Sequence, residues 1–278
     1  MTGPWWCRAP RDVIAIGGSD ASSYLQGQIS QDVSALAVGQ SAWSLVLAPQ
    51  GKVEAFFRLH ALDGDRFVAD CDPGAGARLT ERLERFRLRV DVTLEPLDWQ
   101  YAAVRGGPEA PPPTPRGGVV AEVTWPGFEG YDVLGPAVTI PDDADERSVA
   151  DLEYTRVAAG WPAMGRELTE RTIPAEAGIV EFTVSFTKGC FTGQELVARI
   201  DSRGNNTPRR LVRLESDNDS VLADGATVTL DGADVGTVTS AVAASAAGPP
   251  VALAYLHRSV ELPATVSVGD ARVSAVDR

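Results

Sequence analysis

The sequence predicts an α+β fold followed by an all-strand C-terminal unit, and three observations carry that expectation. Over residues 1–205, short apolar strands mix with amphipathic helices and hairpins, which points to an α+β region and away from a doubly wound sheet. Over 209–278 the chain reads as five or six short strands in about 70 residues, the pattern of a small antiparallel barrel or sandwich. The chain has 278 residues, 44% hydrophobic and 23% charged, which suffices for a sizeable core in an ordinary globular protein.

Each element has its own signal. DVIAIGG reads as a strand ending in glycines, and Ser19-Asp20 offers N-cap groups to a helix that places Ala21, Tyr24 and Leu25 on one face. SAWSLVLAPQGKVEAFFRLHAL reads as two strands around the turn Pro49-Gln50-Gly51-Lys52, and RFVADCD as another. In ARLTERLERF, Leu79, Leu83 and Phe86 have helical spacing. From Phe86 to Glu95 apolar and polar residues alternate, which predicts a strand with one wet face. The Pro/Gly segment Gly106–Gly118 predicts an exposed loop, and Gly204-Asn205-Asn206-Thr207-Pro208 a second break. Beyond it come RRLVRLE, ATVTL, DVGTVTSAV, VALAYL and ATVSV, with Asp231-Gly232 as a hairpin turn.

Charge and cysteine usage narrow the function classes. With 38 acidic against 25 basic residues the net charge is −13, which repels a phosphate backbone and argues against direct nucleic-acid binding. Cys7, Cys71 and Cys190 are far apart and odd in number, so a reducing compartment is expected and a disulfide framework is not. His60 and His257 are isolated, which leaves no metal site expected from this chain alone. No leader pattern or long apolar run is present, so the expected location is the cytoplasm, with no membrane partner.

The segment FTKGCFTGQELVARI, residues 186–200, concentrates the chemistry. Thr192 and Glu195 match a capping box, so a helix is expected to begin at Thr192 with Cys190 just ahead of it. The partial positive charge of a helix start and the nearby Lys188 would both favour a thiolate. Gly189 and Gly193 permit close backbone approach. Local features alone leave two readings open: a small inert core cysteine, or a reactive thiol.

Together with its C-terminal extension DSRG, that segment resembles the K-G-C-[FY]-[TV]-G-Q-E signature of the YgfZ/Iba57 family, relatives of the glycine-cleavage T-protein. YLQGQISQDV, LAPQGKVEAFFRL, LEYTRVAAGWPAMGRELTERTIPAEAG and DVGTVTSAV with VALAYLHR resemble further family segments in the same order; residues 106–150 match nothing specific. The resemblance implies a GcvT-like cloverleaf of α+β domains around a central channel with a C-terminal antiparallel β-barrel. It also implies a tetrahydrofolate or a derivative as cofactor, and a role in assembly or repair of iron–sulfur clusters, with iron–sulfur enzymes or cluster carriers as partners. Cys190 is the reactive thiol under this reading, within the motif Lys188, Gly189, Gly193, Gln194 and Glu195. One thiolate does not hold a cluster, so any metal contact is transient and any cluster shared.

Folate needs a carboxylate or amide for its pterin donors, aromatic walls, and cations for its glutamate tail. Glu153 and Arg156, at i and i+3 of an expected helix, are candidates, or else a structural ion pair. Gln26 and Gln28 would face the same way and read polar ligand edges if their segment were extended, or else sit unremarkably at a helix end or turn; Lys52, in the Gly51-Lys52 turn, would contact a ligand carboxylate or simply be exposed. The arginines at 78, 82, 85, 87 and 89 would steer a polyglutamate tail or form a solvated face. One departure separates the chain from a folate-dependent aminomethyltransferase of T-protein type, the alternative function. Where those enzymes carry an acidic pair after the glycine turn, this chain reads Ala55-Phe56, with Glu54 expected on the opposite face from Ala55. An accessory folate-binding factor is therefore favoured over an enzyme.

Overall fold

The computed structural model describes residues 3–108, 110–204, 206–216, 222–245 and 248–278. Residue 109 of the Pro/Gly segment and residue 205 of the second break lie outside the described residues. In chain order, strands β1 (Trp5–Arg8) and β2 (Asp12–Gly17) precede helix α1 (Ala21–Gln28). The hairpin of β3 (Ser41–Leu47) and β4 (Val53–Ala61) follows, then β5 (Phe67–Cys71), helix α2 (Gly76–Arg85) and β6 (Thr93–Leu97). Next come β7 (Gln100–Arg105), β8 (Val119–Val123), β9 (Gly130–Gly135) and the short β10 (Asp145–Glu146). Helices α3 (Val149–Ala158), α4 (Val180–Thr183) and α5 (Gln194–Asp201) lead to six strands, β11 (Arg209–Glu215), β12 (Thr227–Leu230), β13 (Ala233–Val242), β14 (Val251–His257), β15 (Ala264–Val268) and β16 (Ala271–Val276).

These strands form two open sheets and a barrel. One sheet has the order β3-β4-β5-β2-β6, the other β10-β1-β7-β9-β8, and the last six strands close as β11-β14-β13-β12-β15-β16. Of the two C-terminal architectures that the strand pattern allows, the barrel is the one formed, and closure leaves no edge strand to cover. At the tip of its β12–β13 hairpin, Asp231 and Gly232 both take positive φ (52° and 81°), as a two-residue hairpin turn requires. Helix α1 buries Ala21, Tyr24 and Leu25, and α2 buries Leu79 and Leu83, against one face of the first sheet. A second core, where Phe56, Trp161, Ile179, Phe191 and Val197 meet, lies between the β3–β4 hairpin and the segments around α4 and α5.

The alternation from Phe86 to Glu95 makes a strand only from Thr93 onward, in β6; residues 86–92 do not form one. Helix α2 ends at Arg85, and ladder pairing begins only at Thr93. Side-chain bonds, two of them reaching back to the start of α1, hold the intervening segment instead: Asp91 N donates to Asp20, Ser19 donates to Asp91, and the Arg87 guanidinium donates to Val92 O. Side chains that satisfy nearby backbone in this way compete with a ladder. Asp20 is thereby diverted from capping α1. Phe86 and Leu88 are left exposed, while Val90 and Val92 still pack on the core.

A register shift also moves Glu54. Val46 pairs with Ala55 and Leu47 with Val53, so Glu54 is an extra residue in a bulge. Its carboxylate meets Arg82 of α2, the helix whose Leu79 and Leu83 share a core with Ala55. The expected opposite-face placement of Glu54 is therefore overturned by the bulge.

Candidate functional site

The inner faces of the two sheets carry charged residues where strands ordinarily carry apolar ones. Asp70 on β5 accepts from Arg11 Nε at 2.6 Å and Arg58 Nε at 3.1 Å, and lies 2.6 Å from His60 Nε2. Asp132 on β9 accepts from Arg105 Nη2 and Tyr101 OH, each at 2.8 Å, and its other oxygen lies 2.9 Å from Arg58 Nη2. Asp72 accepts from Arg11 Nη1 at 2.7 Å and from Met164 N at 2.9 Å. Three arginines thus face three aspartates, so the buried charges offset one another.

Their protonation follows from this arrangement. Burial alone would raise the Asp70 carboxyl, but Arg58, Arg11 and His60 together hold it well below its usual range. Asp132 is likewise held down by Arg105, Arg58 and Arg11 against its own desolvation. Burial pushes His60 down, against the pull of Asp70, so the imidazole is neutral at pH 7. Burial pushes the Tyr101 phenol up, which keeps it a donor to Asp132.

Beside this network lies a cavity of about 210 Å³. Its walls include Trp43 from β3, Tyr101 and Arg105 from β7, Phe128, Asp132, Trp161, and Glu153 and Arg156 from α3. Trp43 stacks on Phe56 at 4.8 Å and meets Trp161 edge-on at 4.8 Å, so the aromatic wall is fixed by its own packing. The Arg105 guanidinium lies 4.2 Å from the Phe128 ring centre, and its Nε has no hydrogen-bond partner among the described residues although the side chain is 1% exposed. A buried donor without a partner costs free energy, and a ligand acceptor in the cavity would supply one.

Glu153 and Arg156 do form the i,i+3 pair, at 2.8 Å. Arg156 also reaches Glu167 at 3.1 Å, Trp161 O at 2.6 Å and Ser240 Oγ of β13 at 2.9 Å. It therefore fastens α3 to the following segment and to the barrel, and holds the half-buried Glu153 carboxylate at the cavity wall. The capping box that starts α3 is Ser148 with Asp151.

The other expected folate residues lie elsewhere. Gln26 and Gln28 stand on helix α1, not on an extended segment. The Gln26 amide donates to Asp32 and accepts from Val33 N, and Gln28 accepts from Arg82, so both serve the fold. Lys52 lines a separate open pocket with Arg78, Arg82 and Arg85.

In the Lys188–Glu195 motif, Cys190 is exposed, whereas Cys7 and Cys71 are buried. Helix α5 begins at Gln194, not Thr192, and its N-cap is Gly193 at φ 83° with no side-chain cap. The Thr192/Glu195 capping box is not formed; Gln194 Oε1 accepts from Phe191 N instead, at 3.3 Å. Gly193 is required here, because a Cβ would meet Ala48 O at 2.6 Å. Lys188 turns inward and donates to Ile29 O at 2.7 Å and Gln31 O at 2.9 Å, and burial pushes it down to about 8. Neither feature argued to favour a Cys190 thiolate thus has the placement assumed. The arrangement is a mechanical one: Lys188 and buried Phe191 pin the loop on either side of a solvent-facing thiol. Neither histidine is free to serve as its base, since His60 is tied into the buried network and His257 bonds Ser259.

The sequence reasoning missed Arg11, Arg58, Asp70, Tyr101, Arg105 and Asp132. The available signal was Arg58 and His60 inside the apolar strand AFFRLHA, with Asp70 inside FVADC, since an ionised residue amid a buried strand needs partners.

Among the described residues, no group of three or more His, Cys, Asp or Glu side chains is placed to hold a metal ion, and no helix is long and apolar enough to cross a membrane.

Comparison with known proteins agrees with this architecture. Residues 209–275 match the glycine cleavage T-protein C-terminal barrel domain. The chain is 30% identical to an iron-sulfur cluster assembly factor IBA57 homolog, mitochondrial, from Pyricularia oryzae, over 70% of this chain and 53% of that one, so it spans about half of that relative. It is 28% identical to the tRNA-modifying protein YgfZ of Shigella sonnei, over 70% of this chain and 66% of that one. Aminomethyltransferases are also among its sequence relatives. The crystal structure of glycine cleavage system aminomethyltransferase T from Bartonella henselae superimposes with a TM-score of 0.81 at 19% identity, over 100% of this chain and 86% of that one, which gives the two the same fold.

Proposed function

The chain belongs to the GcvT-like family that includes the YgfZ and IBA57 proteins, and on that premise we propose that it binds a tetrahydrofolate and supports assembly or repair of iron–sulfur clusters in client enzymes. The observation that carries the folate half is the cavity: aromatic walls of Trp43, Tyr101 and Trp161 beside a fixed carboxylate, Glu153, and an unpartnered donor, Arg105 Nε. At about 210 Å³ it is smaller than the roughly 300–1,000 Å³ of a site for a whole drug-sized ligand, so it suits one flat ring system with the rest outside. A pterin offers N–H donors to Glu153 and a carbonyl acceptor to Arg105. Cys190 is the thiol that would ligate cluster iron transiently, held solvent-facing while any remaining ligands come from a partner. With a net charge of −13 the chain is poorly suited to bind tRNA itself, so its clients are proteins, on which it acts as an accessory factor.

Aminomethyl transfer, the reaction named for several relatives, lacks an acidic pair at the β4 position, where Ala55 and Phe56 are 2% exposed in apolar cores. An assay with methylene-tetrahydrofolate and candidate amines tests it directly. The main test is calorimetry with tetrahydrofolate under reducing conditions, on the natural chain and on Cys190→Ala. Both are expected to bind, and cells carrying only Cys190→Ala are expected to lose iron–sulfur enzyme activity. Absence of binding by either form removes the folate half, and undiminished enzyme activity removes the thiol's role.

A further inference from the structure

The turn that follows α2 exposes large apolar side chains among arginines. Phe86 is 47% exposed and Leu88 77%, the highest value for a large apolar side chain among the described residues. They alternate with Arg85, Arg87 and Arg89, in a chain whose net charge is −13. The backbone takes two uncommon conformations in succession. Leu88 N donates to Phe86 O at 3.0 Å, which closes a γ-turn centred on Arg87. Arg89 then adopts a left-handed φ of 58°, which disfavours a residue with a Cβ. Strain of this kind persists only where the surroundings over-determine it, and it collects where ligands or partners are held.

The turn is braced from below and open above. At its base the Asp20 and Asp91 carboxylates accept from Asp91 N and from Ser19 N and Oγ. Arg87 is tied to Glu84 at 2.9 Å and to Val92 O, and Val90 and Val92 pack on the core. The Arg82 guanidinium lies 4.1 Å from the Phe86 ring centre, which holds the ring by one face. Two cations remain available. The Arg89 side chain has no ion pair or hydrogen bond among the described residues. Arg85 meets Glu81 at 3.3 Å with side chains 61% and 73% exposed, and a pair of that kind exchanges for an incoming carboxylate at small cost.

We propose that the 86–89 turn is a docking knob for a partner protein, and that it takes an acidic segment carrying an apolar side chain. The apolar side chain covers Phe86 and Leu88, and the carboxylates beside it meet Arg89 and Arg85. Phe86, Leu88 and Arg89 do not line the aromatic cavity, so the knob stands apart from the folate reading. Charge complementarity selects the occupant. A short acidic segment meets the knob within a Debye length of about 8–10 Å, where the arginines at 78, 82, 85, 87 and 89 outnumber Glu81 and Glu84. An anionic membrane is a charged plane and also confronts the acidic remainder of the chain, so a lipid surface is the poorer fit. Two apolar side chains make a small contact, which suits an extended segment better than a folded domain. Because the backbone is already fixed, little further ordering is needed on this side of the contact.

The test is fluorescence anisotropy with a labelled peptide of about twelve residues, glutamate with interspersed leucine. It is run on the natural chain, on the double substitution Phe86→Ser, Leu88→Ser, and on Arg89→Asn. All three positions are exposed, so both variants are expected to fold, and thermal unfolding checks this. The natural chain is expected to bind the peptide at low salt and more weakly near 0.5 M salt. The double substitution is expected to bind about tenfold more weakly and Arg89→Asn about threefold more weakly. Asparagine tolerates the left-handed backbone, so Arg89→Asn should also unfold at a higher temperature while binding less, as expected where strain is kept for a partner. No binding by the natural chain, or undiminished binding by either variant, overturns the knob. Equal binding of a peptide with glutamine in place of glutamate overturns the acidic partner. Vesicles of phosphatidylcholine and phosphatidylglycerol in equal parts serve as the second probe. If the natural chain binds these and not the peptide, and the double substitution does not, the protein partner is overturned in favour of a lipid surface.

Discussion

The cavity wall and the cysteine loop are built on opposite plans. At the cavity, Arg11, Arg58 and Arg105 face Asp70, Asp72 and Asp132, and each carboxylate satisfies two or three donors at once. No member can leave without stranding another in the interior. At the loop, nothing among the described residues is bonded to the exposed thiol; the backbone around it is pinned from behind by Lys188 and Phe191. The difference teaches where specificity and reactivity reside. A rigid charged wall can discriminate a ligand but tolerates no change, whereas a thiol carried on a pinned loop can be altered without loss of the fold.

The largest effect should come from breaking the wall. Asp70→Ala leaves Arg11 only Asp72 and Arg58 only Asp132 as anionic partners in the interior and removes the partner of His60 Nε2, so it is expected to cost about 3–5 kcal/mol of stability by chemical denaturation. A cost under about 1 kcal/mol would mean that the wall relaxes and is not rigid. The pH dependence has a definite sign. Asp70 and Asp132 are held below their ordinary value of 3.8, so their contribution is fully present above that pH and is lost as pH falls through their lower folded values. Asp70→Ala should therefore show shallower acid destabilisation below about pH 4 than the natural chain.

An intermediate effect belongs to Lys188, which ties the loop to the turn after α1. Its amine is pushed down to about 8 in the fold from 10.5, chiefly by burial. Between those values the unfolded chain holds a proton that the folded chain has released, so stability rises with pH across that window. That lowering sets an upper limit of about 3 kcal/mol on the effect. Comparing denaturation of the natural chain and Lys188→Met from pH 7.5 to 10.5 isolates it: the natural chain should gain relative to the variant as pH rises. Parallel curves would show that Lys188 stays protonated, held by Ile29 O and Gln31 O more strongly than burial opposes it.

The contrast between wall and loop also explains what the sequence could disclose. Strands β2 to β5, helices α1 and α2 and the barrel strands were legible because apolar periodicity and turn residues act locally. The 86–92 segment was not, because Asp20 and Asp91, far apart in sequence, satisfy the backbone that a strand would have used. Glu54 was misplaced because a bulge is a property of two paired strands and leaves no mark on one. At the site, Cys190 stood out through an unusual local motif, and Glu153 with Arg156 through helical spacing. The wall of Arg11, Arg58, Asp70, Arg105 and Asp132 joins five separate segments, so only the tertiary fold brings it together. Local pattern even misled at Lys188, which lies two residues from Cys190 in sequence yet spends its donors on a turn about 160 residues earlier, the bonds spanning 159 and 157 positions.

The smallest effect on stability is the sharpest test of the comparison. Cys190 is exposed and makes no hydrogen bond among the described residues, so Cys190→Ala should change stability by no more than about 0.5 kcal/mol. Cys7 and Cys71 are 0% exposed, and burial pushes both thiols up, so in the folded chain they should resist an aromatic disulfide reagent. The natural chain is therefore expected to release one rapid equivalent of thiol colour, and Cys190→Ala none, with all remaining thiols reacting only after denaturation. Two rapid equivalents would place a second thiol within reach and weaken the assignment of the loop as the reactive region. A stability loss above about 1 kcal/mol would show that the thiol is part of the packing, and a cellular defect of the variant could then be a folding defect. With stability unchanged and the rapid equivalent gone, any loss of cluster-enzyme activity in cells falls on the thiol's chemistry, because the wall that would bind folate has not been touched.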